Sequence, residues 1–177
     1  MTVAEPSPPE TACLIVGMLS AFPALFDEAA EAIAERCGAP TITSETLPFD
    51  FTDYYTLQMG SPLKRKFVAF SPPYDPAQLP ETKLWSNDLE KTFSRAGIDV
   101  SRPINLDPGY VTLSKLVLAS TKDHAHRIYL HSGIYAEITL TYVNKRFRPM
   151  PWTYADYRTE DYLRFFHAVR NMLRTKR

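Results

Sequence analysis

Cysteine is scarce: the 177 residues hold two, Cys13 and Cys37. Two thiols build neither a disulfide framework nor a cysteine-rich metal cluster, so both are read as reduced residues of a folded interior, the usage expected of a cytoplasmic protein. Long apolar runs are missing as well. None approaches the ~20 residues that a membrane helix requires, and no basic stretch followed by an apolar one opens the chain, so neither a membrane partner nor a secretory signal is expected. The formal net charge is zero, which removes the basic balance typical of nucleic-acid binders. There is no Gly-rich phosphate cradle, no G-x-S-x-G, no activated-cysteine context and no RNP pattern. Internal repeats and low-complexity tracts are also lacking.

What is present is apolar enough to fold, at 45% hydrophobic residues. The length fits one domain over residues 12–177 behind a proline-bearing lead-in, residues 1–11. Charge is unevenly spread: residues 1–100 carry 7 Lys/Arg against 14 Asp/Glu, and residues 101–177 carry 13 against 6. Such an imbalance can mark an anion-binding side. However, Arg170, Arg174, Lys176 and Arg177 sit where a last helix would end and complement its dipole.

Ala12 to Leu19 (ACLIVGML) reads as a buried strand. A helix follows from Pro23 to Cys37 and stops at Gly38. Pro40 to Phe51 and Lys66 to Phe70 are the next strands, separated by the tyrosine-bearing segment TDYYTLQMG. A second helix covers Leu79 to Arg95, with Trp85, Leu89 and Phe93 on its buried side. Asp107-Pro108-Gly109 has turn chemistry, and Val111 to Ala119 fits either a strand or a helix, with its β-branched and alternating apolar positions favouring the strand. Thr159 is placed to cap a final helix to about Lys176, with Tyr162, Leu163, Phe166, Val169 and Leu173 as its apolar stripe. The order β-α-β-β-α-β, then a hairpin and a helix, predicts an α+β fold. Its type is a ferredoxin-like split βαβ sandwich, with helices on one face of a mainly antiparallel sheet.

The clearest hairpin joins His126–Leu130 to Ile134–Tyr142. A three-residue loop, His131-Ser132-Gly133, pairs Leu130 with Ile134, Tyr129 with Tyr135, Ile128 with Ala136 and Arg127 with Glu137. That register puts Ile128, Leu130, Ile134, Ala136, Ile138 and Leu140 on an oily face. Arg127, Tyr129, Tyr135, Glu137, Thr139 and Thr141 fall on a polar one. A two-residue loop at Ser132-Gly133 would instead mix Glu137 into the apolar face.

The chemistry-bearing residues follow from this. Arg127 opposite Glu137 is either a cross-strand ion pair or an anion fork oriented by its carboxylate. Lys115, Lys122, Asn105, Asp107 and Asp156 can line the same polar face under the loop Trp152–Arg158. His124 and His126 offer a weaker metal alternative, against which His126 reads more simply as a satisfied core imidazole. No cofactor is indicated.

TDYYTLQMG, NLDPGY, KLVLASTKD, HRIYL, GIYAEITL and WTYADYR, in that order, resemble the signature of the family known as domain of unknown function 4416, from Leu14 to about Arg170. The resemblance implies a single-domain cytoplasmic prokaryotic protein and carries no reaction with it. Two functions are expected from the residues themselves. The first is a binding domain or enzyme for a small anionic metabolite, a nucleotide or phosphoester. The alternative is a non-catalytic module that meets a protein or RNA through its tyrosine-rich face, nucleic acid being disfavoured by the charge balance.

Overall fold

The computed structural model describes residues 4–95 and 97–175. Its strands are β1 (Cys13–Ser20), β2 (Pro40–Thr43), β3 (Leu47–Pro48), β4 (Lys64–Phe70), β5 (Ile104–Val111), β6 (Lys115–Ser120), β7 (Ile128–His131), β8 (Ile134–Val143) and β9 (Arg146–Pro149). The helices are α1 (Ala24–Cys37), α2 (Thr56–Met59), α3 (Leu79–Thr92) and α4 (Glu160–Thr175). Among the described residues no helix is long and apolar enough to cross a membrane.

All strands join one open antiparallel sheet in the order β2-β4-β1-β5-β6-β8-β7, with β3 on β4 and β9 on β8. β1 lies inside it, between β4 and β5, and is buried throughout. Its unbroken apolar run has a physical cause, because both faces of the sheet are covered there. Leu14, Val16 and Met18 pack with Leu25, Phe26 and Ile33 of α1 and with Trp85 and Leu89 of α3. Cys13 and Ile15 pack on the other side with Phe166, Val169 and Leu173 of α4. Helices on one face only is therefore a corrected expectation: α1 and α3 share a face, and α4 covers the opposite one. α4 is fixed there by its aromatic stripe, with Tyr162 and Phe166 in edge contact with Phe67 at 4.7 and 5.4 Å between centroids.

The largest local correction concerns Asp107-Pro108-Gly109, which is no turn but the middle of β5, paired with Gly17, Val16 and Ile15. β6 pairs with β5 only from Gly109 to Val111, so the far edge of Ile104–Pro108 has no strand beside it. Pro108 points its nitrogen to that vacant side, where a missing N–H costs no ladder bond. Gly109 is required by proximity: a Cβ there would lie 2.4 Å from the Val117 carbonyl oxygen. Elsewhere, Pro40 to Phe51 splits into β2 and β3, and residues 112–114 form a turn before β6 begins at Lys115. β9 follows an unforeseen tight turn at Asn144-Lys145, both at positive φ.

The β7–β8 hairpin keeps the expected pairs Tyr129↔Tyr135 and Ile128↔Ala136 but reaches them differently. Ser132 and Gly133, at φ 54° and 77°, make a two-residue turn that sets His131 opposite Ile134. A bulge at Leu130 restores the register, so the pairing of Leu130 with Ile134 is lost. A second irregularity occurs in β8, where Leu140 faces Leu116 and Ile138 faces Val117. The extra residue, Thr139, turns Leu140 to the α4 side with Leu116, while Ile134 stays on the α3 side with Val117 and Leu79. The expected oily face is thus divided, and Ile128, at the sheet's margin, is 66% exposed.

Candidate functional site

The end of β1 and the starts of β4 and β5 lie together, since Ser20 pairs with both Lys64 and Ile104. β6 runs antiparallel to β5 and finishes at this same end, at Ser120. Only the first turn of α4 reaches it, where Tyr162 meets Arg65. The loop from Met150 to Arg158 and the segment around α2 cover the rest, through Asp156 at Arg65 and Met59 at Leu19.

Arg65 is the centre of the first polar cluster and was not foreseen from the sequence. It is buried on the α4 face, where its neighbours in strand phase are Phe67 and Ala69. That phase is the signal in KRKFVAF: a charged residue in step with buried ones. The guanidinium contacts Asp107 Oδ2 at 3.2 Å and Asp156 Oδ2 at 3.6 Å. Gly17 makes room for it, since a Cβ there would stand 3.3 Å from Arg65 Nη1 and 2.9 Å from the Phe67 ring. Asn105 Nδ2 donates to Asp107 Oδ2 at 2.6 Å, and Arg102 donates to Asn105 Oδ1.

α3 completes this cluster through the vacant edge of β5. Leu106 exposes its N–H and carbonyl to that edge, and two side chains about two turns apart on one face of α3 satisfy them. Glu90 Oε1 accepts from Leu106 N at 2.7 Å, and Lys83 Nζ donates to Leu106 O at 2.8 Å. Lys83 also stands 3.8 Å from Asp107, and Glu90 Oε2 holds Arg102 Nε at 3.0 Å. A buried backbone pair must be satisfied, and here ionised side chains replace the missing strand.

The carboxylates of the cluster differ in environment. Burial pushes the Asp107 carboxyl up, but Lys83 and Arg65 overcome it and hold the group below its ordinary value. Burial dominates at Asp156 and Glu90 and raises both despite their cationic neighbours. Tyr162, also buried, is pushed up to about 12. Asp107 and Arg102 each keep about a third of their side chains open, at 30% and 33%, so the cluster has a mouth. Tyr55 and Tyr154 border it: the Tyr55 hydroxyl is raised chiefly by burial, and next by Asp107, with Tyr154 contributing as well.

The second cluster contains the predicted pair. Arg127 Nε donates to Glu137 Oε2 at 2.8 Å, and its Nη1 donates to Ser120 Oγ at 2.8 Å and to the Lys122 carbonyl at 3.0 Å. Both side chains are buried, at 5% and 4% exposed. Glu137 also meets His126 Nε2 at 3.1 Å and Thr139 Oγ1 at 3.2 Å. Nε and Nη1 of the guanidinium are thereby engaged within the protein. His126, expected among core residues, is instead drawn to the polar side by Glu137. Its ring stacks on Trp152 at 5.0 Å and on His124 at 5.7 Å. The two imidazoles lie parallel rather than converging, and among the described residues no group of three or more His, Cys, Asp or Glu is placed to hold a metal ion.

The Trp152–Arg158 loop lies over the sheet as expected, for a definable reason. β7 and β9 occupy the two ends of β8's outer edge and leave Glu137 to Thr139 unpaired. Trp152 Nε1 donates to Ile138 O at 2.9 Å and Thr153 Oγ1 to Thr139 O at 2.5 Å, filling the gap. Arg158 binds the carbonyls of Met150, Pro151 and Thr153, which fixes the loop. Thr159 turns its hydroxyl back to Asp156 O instead of capping α4. Of the remaining predicted residues, Lys122 is exposed, with its ammonium 5.3 Å from the Tyr54 ring. Lys115 belongs elsewhere: it begins β6, at the far end from Ser120, and lines a hollow of about 140 Å³ with Glu10, Tyr110 and Thr112. Lys176 and Arg177 lie outside the described residues.

A family model described as a domain of unknown function (DUF4416) matches residues 10–173. No curated protein and no solved structure matches the chain.

Proposed function

We propose, for a chain that belongs to the DUF4416 family, that it binds a small anionic metabolite, a nucleotide or phosphoester, at the open end of its sheet. The observation that carries this reading is the network of Arg65, Lys83, Glu90, Asp107, Asp156 and Arg102, mostly buried yet opening to solvent at Asp107 and Arg102. Buried ion networks are less stabilising than the apolar packing they displace. Their concentration under a mouth is a mark of a working site. Lys122 and Arg102 would meet the anion, with Asn105 and Asp107 orienting the Arg102 guanidinium from below. Arg127 and Glu137 would act behind them by holding the tip of the Ser120–Arg127 loop.

We read β1-α1-β2-β4-α3-β5 as the ferredoxin-like portion, residues 12–177 as one domain, and the setting as the prokaryotic cytoplasm. A second reading, an interaction module, is favoured by one observation: Tyr54, Leu57, Ile128, Tyr129 and Tyr154 are all exposed, Leu57 at 97%. Thermal-shift screening separates the two. A phosphorylated metabolite at 100 times its Kd adds about 2.7 kcal/mol, worth roughly 5–11 °C at this chain length. Lys122→Ala should weaken that binding about tenfold and leave the unliganded melting temperature unchanged. A wild-type protein that no nucleotide, sugar phosphate or inorganic phosphate stabilises would remove the metabolite reading.

A further inference from the structure

Resting on that reading, we propose that the ring column Trp152–His126–His124 is a stacking platform for a planar heteroaromatic base, so that the ligand is a nucleotide and not a sugar phosphate. The three rings are nearly parallel, with interplanar angles of 11° and 3°. Strand alternation does not produce this, because His124 and His126 occupy a turn closed by Arg127 N–H to His124 O at 2.9 Å. The column is instead built from its inner end. Trp152 is hydrogen-bonded to Ile138 O, and His126 is drawn against it by Glu137. Arg127 in turn fixes Glu137. His124 ends the column: it is exposed, and among the described residues it has a ring neighbour on one side only.

A parallel ring held at the surface with its outer face open is the geometry on which bases stack, and stacking tolerates any base because each has a π-face. The neighbouring Lys122 ammonium supplies a phosphate contact at the same loop. Arg127 and Glu137 are then positioning residues for the column, which accounts for an ion pair this deeply enclosed beneath an exposed loop.

The test uses the full chain carrying Trp85→Phe, which leaves Trp152 as the sole indole reporter. Adenosine monophosphate and ribose 5-phosphate are titrated by calorimetry, with Trp152 emission followed in parallel. The nucleotide should bind about tenfold more tightly than the sugar phosphate and perturb Trp152 emission only indirectly, because His126 and His124 stand between the base and the indole. His124→Ala should abolish that preference while leaving ribose 5-phosphate affinity within about twofold, and His124→Phe should retain it. Equal affinity for the two ligands, or a preference that survives His124→Ala, overturns the base platform and leaves the anion site standing. Failure of both ligands to bind overturns the platform together with the reading beneath it.

Discussion

Glu90→Ala is the sharpest test of the argument that α3 side chains stand in for a strand along β5. The substitution deletes the acceptor that meets Leu106 N at 2.7 Å. An orphaned buried N–H costs about 1–3 kcal/mol, and the lost methylene adds about 0.8 kcal/mol. The released Arg102 is one-third exposed, so solvent screening limits its share to less than about 1 kcal/mol. The expected loss is about 3 kcal/mol, or roughly 6–12 °C in melting temperature for a chain of this size. Glu90→Gln keeps an acceptor oxygen. Because burial outweighs the attraction of Arg102 and Lys83 and raises the Glu90 carboxyl, a neutral amide is tolerated, and the cost should stay within about 1 kcal/mol. The sign of the pH dependence follows. Between the ordinary value of 4.5 and the higher folded value, the folded state retains a proton that the unfolded chain has released. Wild-type stability therefore falls as pH rises through that window, and Glu90→Gln removes this contribution. Urea denaturation at several pH values measures both effects. An alanine variant as stable as wild type, or a glutamine variant as damaged as the alanine one, would refute the edge-filling argument.

Arg127→Ala should cost about 3 kcal/mol in urea denaturation, because Glu137 would keep its burial and lose its Arg127 guanidinium partner; a loss below about 1 kcal/mol would mean the pair is not enclosed as described. Gly109→Ala should cost about 3 kcal/mol, since the obstacle is the Val117 carbonyl and not a mobile side chain. Gly133→Ala meets open space and carries only the strain of φ +77°, about 1 kcal/mol; the same assay should rank the two in that order.

Where a feature of the fold depended on local periodicity, the sequence was readable. α1, the Trp85–Leu89–Phe93 side of α3, and the aromatic stripe of α4 all follow from helical spacing. The pairing of Tyr129 with Tyr135 followed from the hairpin pattern even though its turn was misjudged. What could not be read were features settled by a neighbour distant in sequence. Asp107-Pro108-Gly109 is good turn chemistry in isolation. It is a strand because Gly17 and Val16 lie beside it and because β6 withdraws where Pro108 would need a donor. The faces of the β7–β8 hairpin failed for a similar reason, since a bulge at Thr139 reverses the alternation on which they were counted.

The candidate site divides along the same line. Asn105, Asp107 and Asp156 do come together, but through Arg65, Lys83 and Glu90, which lie in helix and strand positions that a pattern reading assigns to packing. Arg127 and Glu137 pair as expected, with both side chains buried. These two outcomes have one cause. An open sheet that loses a strand contact at Leu106 and again at Ile138 must satisfy its backbone with side chains, by Glu90 and Lys83 in one place and by Trp152 and Thr153 in the other. Both repairs bring in polar or aromatic groups whose far ends reach the same end of the sheet. The irregular edges of β5 and β8 are therefore what concentrate charge and rings there, so a variant that regularised either edge would lose the site along with the gap.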